Sequence, residues 1–389
     1  MDIWPQLPII IRNKALSHLP PDYDFDAIIA HRNRVCEIKL DTTRPLFQRL
    51  VLVMQDQFPA LIHLKLKLLG HPGPAVPDGF LGGSAPRLQT LRLESITFPT
   101  LPNLLLSTTD LVCLELFHIP HSGYISPDAI VSALAVLTNL KFLTIEFESP
   151  LSRPDLESRR SPSSTCILRA LTNFTFKGVS EYLEDLVAGI DTPFLDFVSI
   201  NFFHQPIFDI PQLAQFMRRA TGLKAPNEVR VHLDSVGVWV KFLPQTGAFD
   251  EGSVLGISCT VLKQQLSSLA QLLTSFSPSI YMVEHLYIFP THVLPPRWQD
   301  YTVNVQWIRF FRPFTAVKNL YLSKQFVQCI APALQEHAGE RATDVLPALE
   351  NLFLGVPLQL RPVWGAIEQF IDARQLLGRP VAVSQWQGT

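Results

Sequence analysis

The strongest constraint in this 389-residue chain is a recurring frame: an apolar residue, two others, a second apolar residue, one other, a third apolar residue. Leu88, Leu91 and Leu93 form one copy. Others are Leu61–Leu64–Leu66, Leu111–Leu114–Leu116, Leu140–Leu143–Ile145, Leu171–Phe174–Phe176 and Leu195–Val198–Ile200. It returns as Val283–Leu286–Ile288, Val317–Leu320–Leu322 and Leu349–Leu352–Leu354. Weaker copies are Trp4–Leu7–Ile9, Val35–Ile38–Leu40, Val254–Ile257–Cys259 and a degraded Glu228–Val231–Leu233. Thirteen copies start 23 to 34 residues apart. No unit of that size buries its own apolar face, whereas stacked units bury one continuous core.

The last two apolar positions of each frame lie two apart, so in a strand they share a face and their neighbours point the other way. Helical patterns fill the intervals: Leu46 to Phe58, Pro127 to Leu137 behind the N-cap Ser126, Ser180 to Leu186 opening on a cap-like serine, Pro211 to Ala220, Leu262 to Leu273, Asn304 to Phe311 and Ile367 to Leu377. Strand, loop, helix and loop at this period predict an α/β fold, a leucine-rich-repeat solenoid with a curved parallel sheet on the concave side and helices on the convex side. The period reads as one solenoid over residues 1–389, with a polar loop insertion at 149–165 and a loop at 245–253.

Composition narrows function by exclusion. A net charge of −2 gives no electrostatic case for nucleic acid or an anionic membrane. No apolar run approaches the ~20 residues of a membrane span. The five cysteines, Cys36, Cys113, Cys166, Cys259 and Cys329, are scattered without a CxxC pair, which predicts reduced thiols and an intracellular protein, cytoplasmic or nuclear. There is no GxSxG, Walker loop, GxGxxG, HExxH or EF-hand loop, so no catalytic residue, cofactor or metal is expected. His118 and His121, with Glu115 upstream, lack the further short-spaced ligands of a zinc site; His31, His204 and His292 have no recognisable partner.

What remains is the outward strand face. Early copies offer charges: Glu37, Lys39, Asp41, His63, Lys65, Lys67, Thr90, Arg92, Glu94, Glu115 and Glu146. Middle copies offer Thr144, Asn173, Thr175, Ser199 and Asn201. Late copies offer His285, Tyr287, Phe289, Asn319, Tyr321 and Phe353, and aromatic side chains facing solvent on a rigid sheet are what interfaces use as anchors. These six are the expected partner-binding residues. The opposing reading is that a C-terminal segment folds over Tyr287 and Tyr321 and makes them core.

Several phrases resemble a group of F-box-like leucine-rich-repeat proteins of mushroom-forming (basidiomycete) fungi. They are WPQLPII from Trp4, NRVCEI from Asn33, FLGGSAPRL from Phe80, IPHSGYISPD from Ile119, FKGVSEYL from Phe176, IDTPFLD from Ile190, PFTAVKNLYL from Pro313 and VLPALENL from Val345. The resemblance spans nearly the whole chain. It implies substrate recognition by the repeats of a ubiquitin-ligase receptor. In that group an F-box normally precedes the repeats and docks on a Skp-type adaptor of a cullin ligase. Here a repeat-like strand begins by Trp4, and Pro21 to Asp26 is too acidic and short for that module. A Skp-type adaptor and cullin are therefore expected only if an F-box lies upstream. The alternatives are a repeat-only adaptor without a ubiquitin link and, last, an enzyme of unrecognised type.

Overall fold

The computed structural model describes residues 7–13, 25–70, 74–154, 165–244, 252–259, 261–275, 280–290, 304–336, 343–355 and 361–386. Trp4, His292 and most of the two insertions (155–164 and 245–251) lie outside the described residues. The chain divides into two compact units, Met1–Asp196 with Gln215–Gly222, and Phe197–Ala214 with Leu223–Thr389.

In the first unit the frame builds parallel strands β1 (Ile9–Asn13), β2 (Val35–Thr42), β3 (His63–Leu68), β4 (Thr90–Glu94), β5 (Cys113–Ile119) and β6 (Phe142–Phe147). A two-residue strand β7 (Cys166–Ile167) precedes β8 (Asn173–Gly178), which pairs with β6, and β7 pairs with the equally short β9 (Ile190–Asp191). Strands pair in sequence order with the frames in phase. Ile38, Leu64, Leu91, Leu114, Leu143 and Phe174 stand in one cross-strand row, and Leu40, Leu66, Leu93, Leu116, Ile145 and Phe176 in the next. Both rows are buried. The first frame residue sets the phase: the backbone N–H of Leu61, Leu88, Leu111 and Leu140 donates to the carbonyl three residues back, closing a turn that feeds the strand. Helices Arg44–Val53, Leu101–Leu105, Pro127–Leu134 and Ser180–Ala188 return the chain between strands. Ser126 caps the third of these, accepting from Ala129 N at 3.3 Å, as its position before Pro127 predicts. Ser180 does not cap; it is the first helical residue after Val179. Tyr182, fully buried, donates its hydroxyl to Ile125 O at 2.9 Å and packs against Phe147 and Phe176.

The second unit contains β10 (Phe197–Phe203), β11 (Glu228–Leu233), β12 (Gly237–Leu243), β13 (Ser253–Ser258), β14 (His285–Pro290), β15 (Asn319–Leu322), β16 (Asn351–Leu354) and β17 (Ala382–Gln385). Their order in the sheet is β10-β13-β12-β11-β14-β15-β16-β17. Val229, Leu286, Leu320 and Leu352 form one inner row, and Val231, Ile288, Leu322 and Leu354 the next. The sheet is parallel except for β12, which runs against both β11 and β13. Two consecutive parallel repeats at 228 and 254 therefore give way to a three-stranded meander. Its first turn is built by Asp234, whose Oδ1 accepts from Val236 N and Gly237 N at 2.6 and 3.1 Å. A Cβ at Gly237 would lie 2.6 Å from Ile257 O, so glycine is required where β12 passes β13.

Helices Leu262–Ser275, Asn304–Phe311, Lys324–Glu336 and Arg361–Leu376 pack in succession. Each described unit is thus a run of leucine-rich-repeat-type α/β repeats, with one sheet face against helices and the other open.

The weak frames are displaced. In β1 it is Ile11, not Leu7, that pairs with Ile38, and Leu7 is 73% exposed. In the copies at 228 and 254 the second and third frame residues, Val231, Leu233, Ile257 and Cys259, are buried as expected, but Val229 and Leu255 are buried as well, while the first residues, Glu228 and Val254, are only partly buried. Alternation has period two, so a shift by an even number of residues preserves the faces and leaves the register undetermined.

Candidate functional site: the open sheet face

Strand alternation puts charge on the open face of the first unit. Arg12, Lys39, Lys65, Arg92 and Glu115 occupy one cross-strand row. Glu37, His63 and Thr90 lie on one side of that row, and Asp41, Lys67 and Glu94 on the other. Most of these charges neutralise each other. Arg12 bonds both carboxylate oxygens of Glu37 at 2.8 Å, Lys67 bonds Glu94 at 2.5 Å, and Arg92 approaches Glu94 and Glu115 at 3.5 Å. The bond from Arg12 holds the Glu37 carboxyl below its ordinary range. Burial alone would raise Glu94, but the Lys67 and Arg92 contacts outweigh it and its pKa is lowered. Glu146 is shifted the other way, raised by burial. Thr144, expected to face outward, is buried: it sits in register between Glu115 and Thr175, and its side chain is short. His118 Nδ1 lies 3.9 Å from Glu94, and no group of three metal-ligating side chains occurs among the described residues.

The open face of the second unit is aromatic. Register carries Lys241, Arg230, Tyr287, Tyr321, Phe353 and Ser384 across six neighbouring strands in a single row. The Tyr287 and Tyr321 rings stack at 4.0 Å and the Tyr321 and Phe353 rings at 4.4 Å, each pair 6° from parallel. Such spacing follows from strand separation, since in-register rings on adjacent parallel strands stand about 4.8 Å apart before they lean together. The Arg230 guanidinium lies 5.7 Å from the Tyr287 ring centre and bonds Glu228 through Nε at 2.5 Å. Burial, and then a hydrogen bond with Tyr321, push the Tyr287 phenol well above its usual range.

The six residues expected from the sequence are therefore brought together. His285 and Asn319 form the adjacent row, with Asn351 donating Nδ2 to Asn319 Oδ1 at 2.9 Å. Phe289 lies in the row beyond, edge-on to His232 at 4.1 Å. All six are partly exposed. Trp386 is the residue the frame did not single out. It follows β17 and meets Tyr287 and Tyr321 edge-on at 6.0 and 5.6 Å, covering part of the ladder without burying it. A cleft of about 330 Å³ opens between Trp386, Tyr287, Phe289, Arg230, Ser323 and Lys324. The Ser323 hydroxyl is buried there without a hydrogen-bond partner among the described residues. Arg230 and Trp386 lie on strands or strand ends that carry no clear frame, which is why the sequence pattern passes over them.

No protein-family model matches the chain, and no curated protein matches it. Among solved structures it is similar to a leucine-rich repeat-containing protein, LegL7 from Legionella pneumophila, at 13% identity and a TM-score of 0.34, over 93% of this chain and 97% of that one.

Proposed function

We propose that this chain is a non-enzymatic protein-recognition scaffold that binds its partner on the open sheet face of the second unit, through His285, Tyr287, Phe289, Asn319, Tyr321 and Phe353. The observation that carries this reading is the partly exposed ladder Tyr287–Tyr321–Phe353, held by strand register on a face that no helix covers among the described residues. Aromatic anchors preorganised in this way lose little side-chain entropy on binding. Replacing Tyr287 or Tyr321 with alanine, one at a time, is expected to weaken partner binding by about 2 kcal/mol or more, near thirtyfold. Partner recovery by affinity capture measures this, with a thermal melt as the folding control. Unchanged recovery with a normal melt would move the site elsewhere; a collapsed melt would make the rings core.

The resemblance of the repeat phrases to F-box-like proteins supports a finer reading, the substrate-binding part of a ubiquitin-ligase receptor. Co-purification of a Skp-type adaptor and cullin with the full gene product separates this from a repeat-only adaptor. The scattered free thiols support placement in the cytoplasm or nucleus. No helix among the described residues is long and apolar enough to cross a membrane.

A further inference from the structure

The cleft of about 330 Å³ beside the aromatic ladder joins an apolar wall to a set of unused hydrogen-bond donors. Tyr287 and Trp386 supply rings; Arg230, Ser323, Lys324 and Gly355 supply the polar part. No carboxylate lines it. The Arg230 guanidinium is met from outside by Glu228, whereas Lys324 is exposed and has no ion pair among the described residues. Two cations against that one carboxylate leave a single positive charge. Asp234, at the turn after the strand of Arg230, does not line the cleft and accepts from Val236 N and Gly237 N. The 13-residue helix Lys324–Glu336 starts at this cleft. Its first two backbone N–H groups, those of Lys324 and Gln325, have no acceptor among the described residues, and neither has the buried Ser323 hydroxyl just before them. A Cβ at position 355 would lie 2.9 Å from Lys324 N, so glycine leaves that N–H uncovered. Unpaired donors at a helix N-terminus, with a cation beside them, favour a negative group.

We propose that this cleft holds the C-terminal residue of the partner chain, an apolar residue whose side chain lies against Tyr287 and Trp386 while its free α-carboxylate meets Ser323, Lys324 and the helix start. The inference rests on the reading that partners bind the open face of the second unit, and it names the part of the partner that does so. One excess positive charge matches one carboxylate, whereas a phosphoryl group carries about −1.5 to −2. The volume is at the lower end of the roughly 300–1,000 Å³ of pockets that enclose a small molecule, so the ring contact and the negative charge must come from about one residue. An internal aspartate or glutamate brings the charge without an apolar body, and an internal apolar residue brings no charge. A chain terminus brings both, and backbone N–H groups are an established way of capturing it. Preceding residues would pass over Tyr321 and Phe353, which continue the row from Tyr287.

The test titrates the full chain calorimetrically with short N-acetylated peptides ending in phenylalanine, leucine or lysine, each as the free acid and as the C-terminal amide. A further amidated peptide carries an internal glutamate beside phenylalanine. The phenylalanine and leucine acids are expected to bind at least tenfold tighter than their amides and than the lysine acid. Lys324→Gln, an exposed position, should bring acid and amide within about threefold of each other without lowering the melting temperature, and Lys324→Arg should restore the preference. Equal binding of acid and amide, or an acid preference unchanged in Lys324→Gln, would overturn the proposal. So would an internal-glutamate amide that binds as tightly as the acids, since an acidic segment would then be the ligand. Failure of every peptide to bind at millimolar concentration would overturn it too. In each of these cases the wider reading survives if Tyr321→Ala still weakens partner capture, and falls with the proposal if it does not.

Discussion

Leu91→Ala is expected to destabilise the first unit by about 2–5 kcal/mol, the range for a leucine deleted from a packed core. Leu91 is fully buried in the middle of a row that runs from Ile38 to Phe174, with Leu64 and Leu114 in register on either side. Rows above and below are fixed by the same ladder, so the gap has little freedom to collapse. The neighbouring Arg92 points to the open face and pairs there with Glu94 and Glu115. Arg92→Ala should cost about 1 kcal/mol or less, as for other exposed ion pairs. Denaturant unfolding of both variants checks the alternation itself. If Arg92→Ala proves the more damaging, the inner and outer faces have been assigned the wrong way round.

Trp307→Ala should be as severe in the second unit, about 3–5 kcal/mol. The indole is fully buried on the helix Asn304–Phe311, among Phe310, Phe311 and Phe326 at ring separations of 5.9, 6.1 and 5.7 Å. Phe326 belongs to the next helix, Lys324–Glu336, so this cluster is the seam between two successive repeats. Trp307 Nε1 is buried without a hydrogen-bond partner among the described groups. Trp307→Phe keeps most of the ring contact and removes that unpaired donor, so its cost should be well under half that of alanine. Similar losses for phenylalanine and alanine would indicate that the indole N–H has a partner and that packing is the lesser contribution.

The sequence disclosed the parts of this fold that carry a phase. Where a frame opens on a buried leucine that closes a turn, as at Leu61, Leu88 and Leu111, the strand follows in the expected register. At Leu7, Glu228 and Val254 only the alternation survives, and the observed strands are shifted. The antiparallel β12 was legible in principle: Val229–Val231–Leu233 and Val238–Val240 alternate on either side of Asp234 and Gly237, a hairpin signal. The helix Lys324–Glu336, by contrast, carries Pro332 within it, which argues locally against a helix that tertiary packing nevertheless imposes.

The candidate site was legible to the extent that outward positions follow from inward ones. That rule brings Tyr287, Tyr321 and Phe353 together because they share a frame position. It says nothing of Trp386, which reaches the ladder from a strand without a frame, or of Arg230, whose strand pairs out of sequence order.

The central claim is that partners dock on the open sheet face of the second unit and not on its helices. Ser384 is exposed, lies next to Phe353 in register and makes no ring contact of its own, so a photo-reactive amino acid there samples the face without breaking the ladder. Glu368, exposed on the helix Arg361–Leu376, is the matched position on the other side. The account predicts that irradiation of the captured complex links the partner to position 384, that Tyr321→Ala in the same chain abolishes the link, and that position 368 gives none. Cross-linking from position 368 with none from 384 would contradict it.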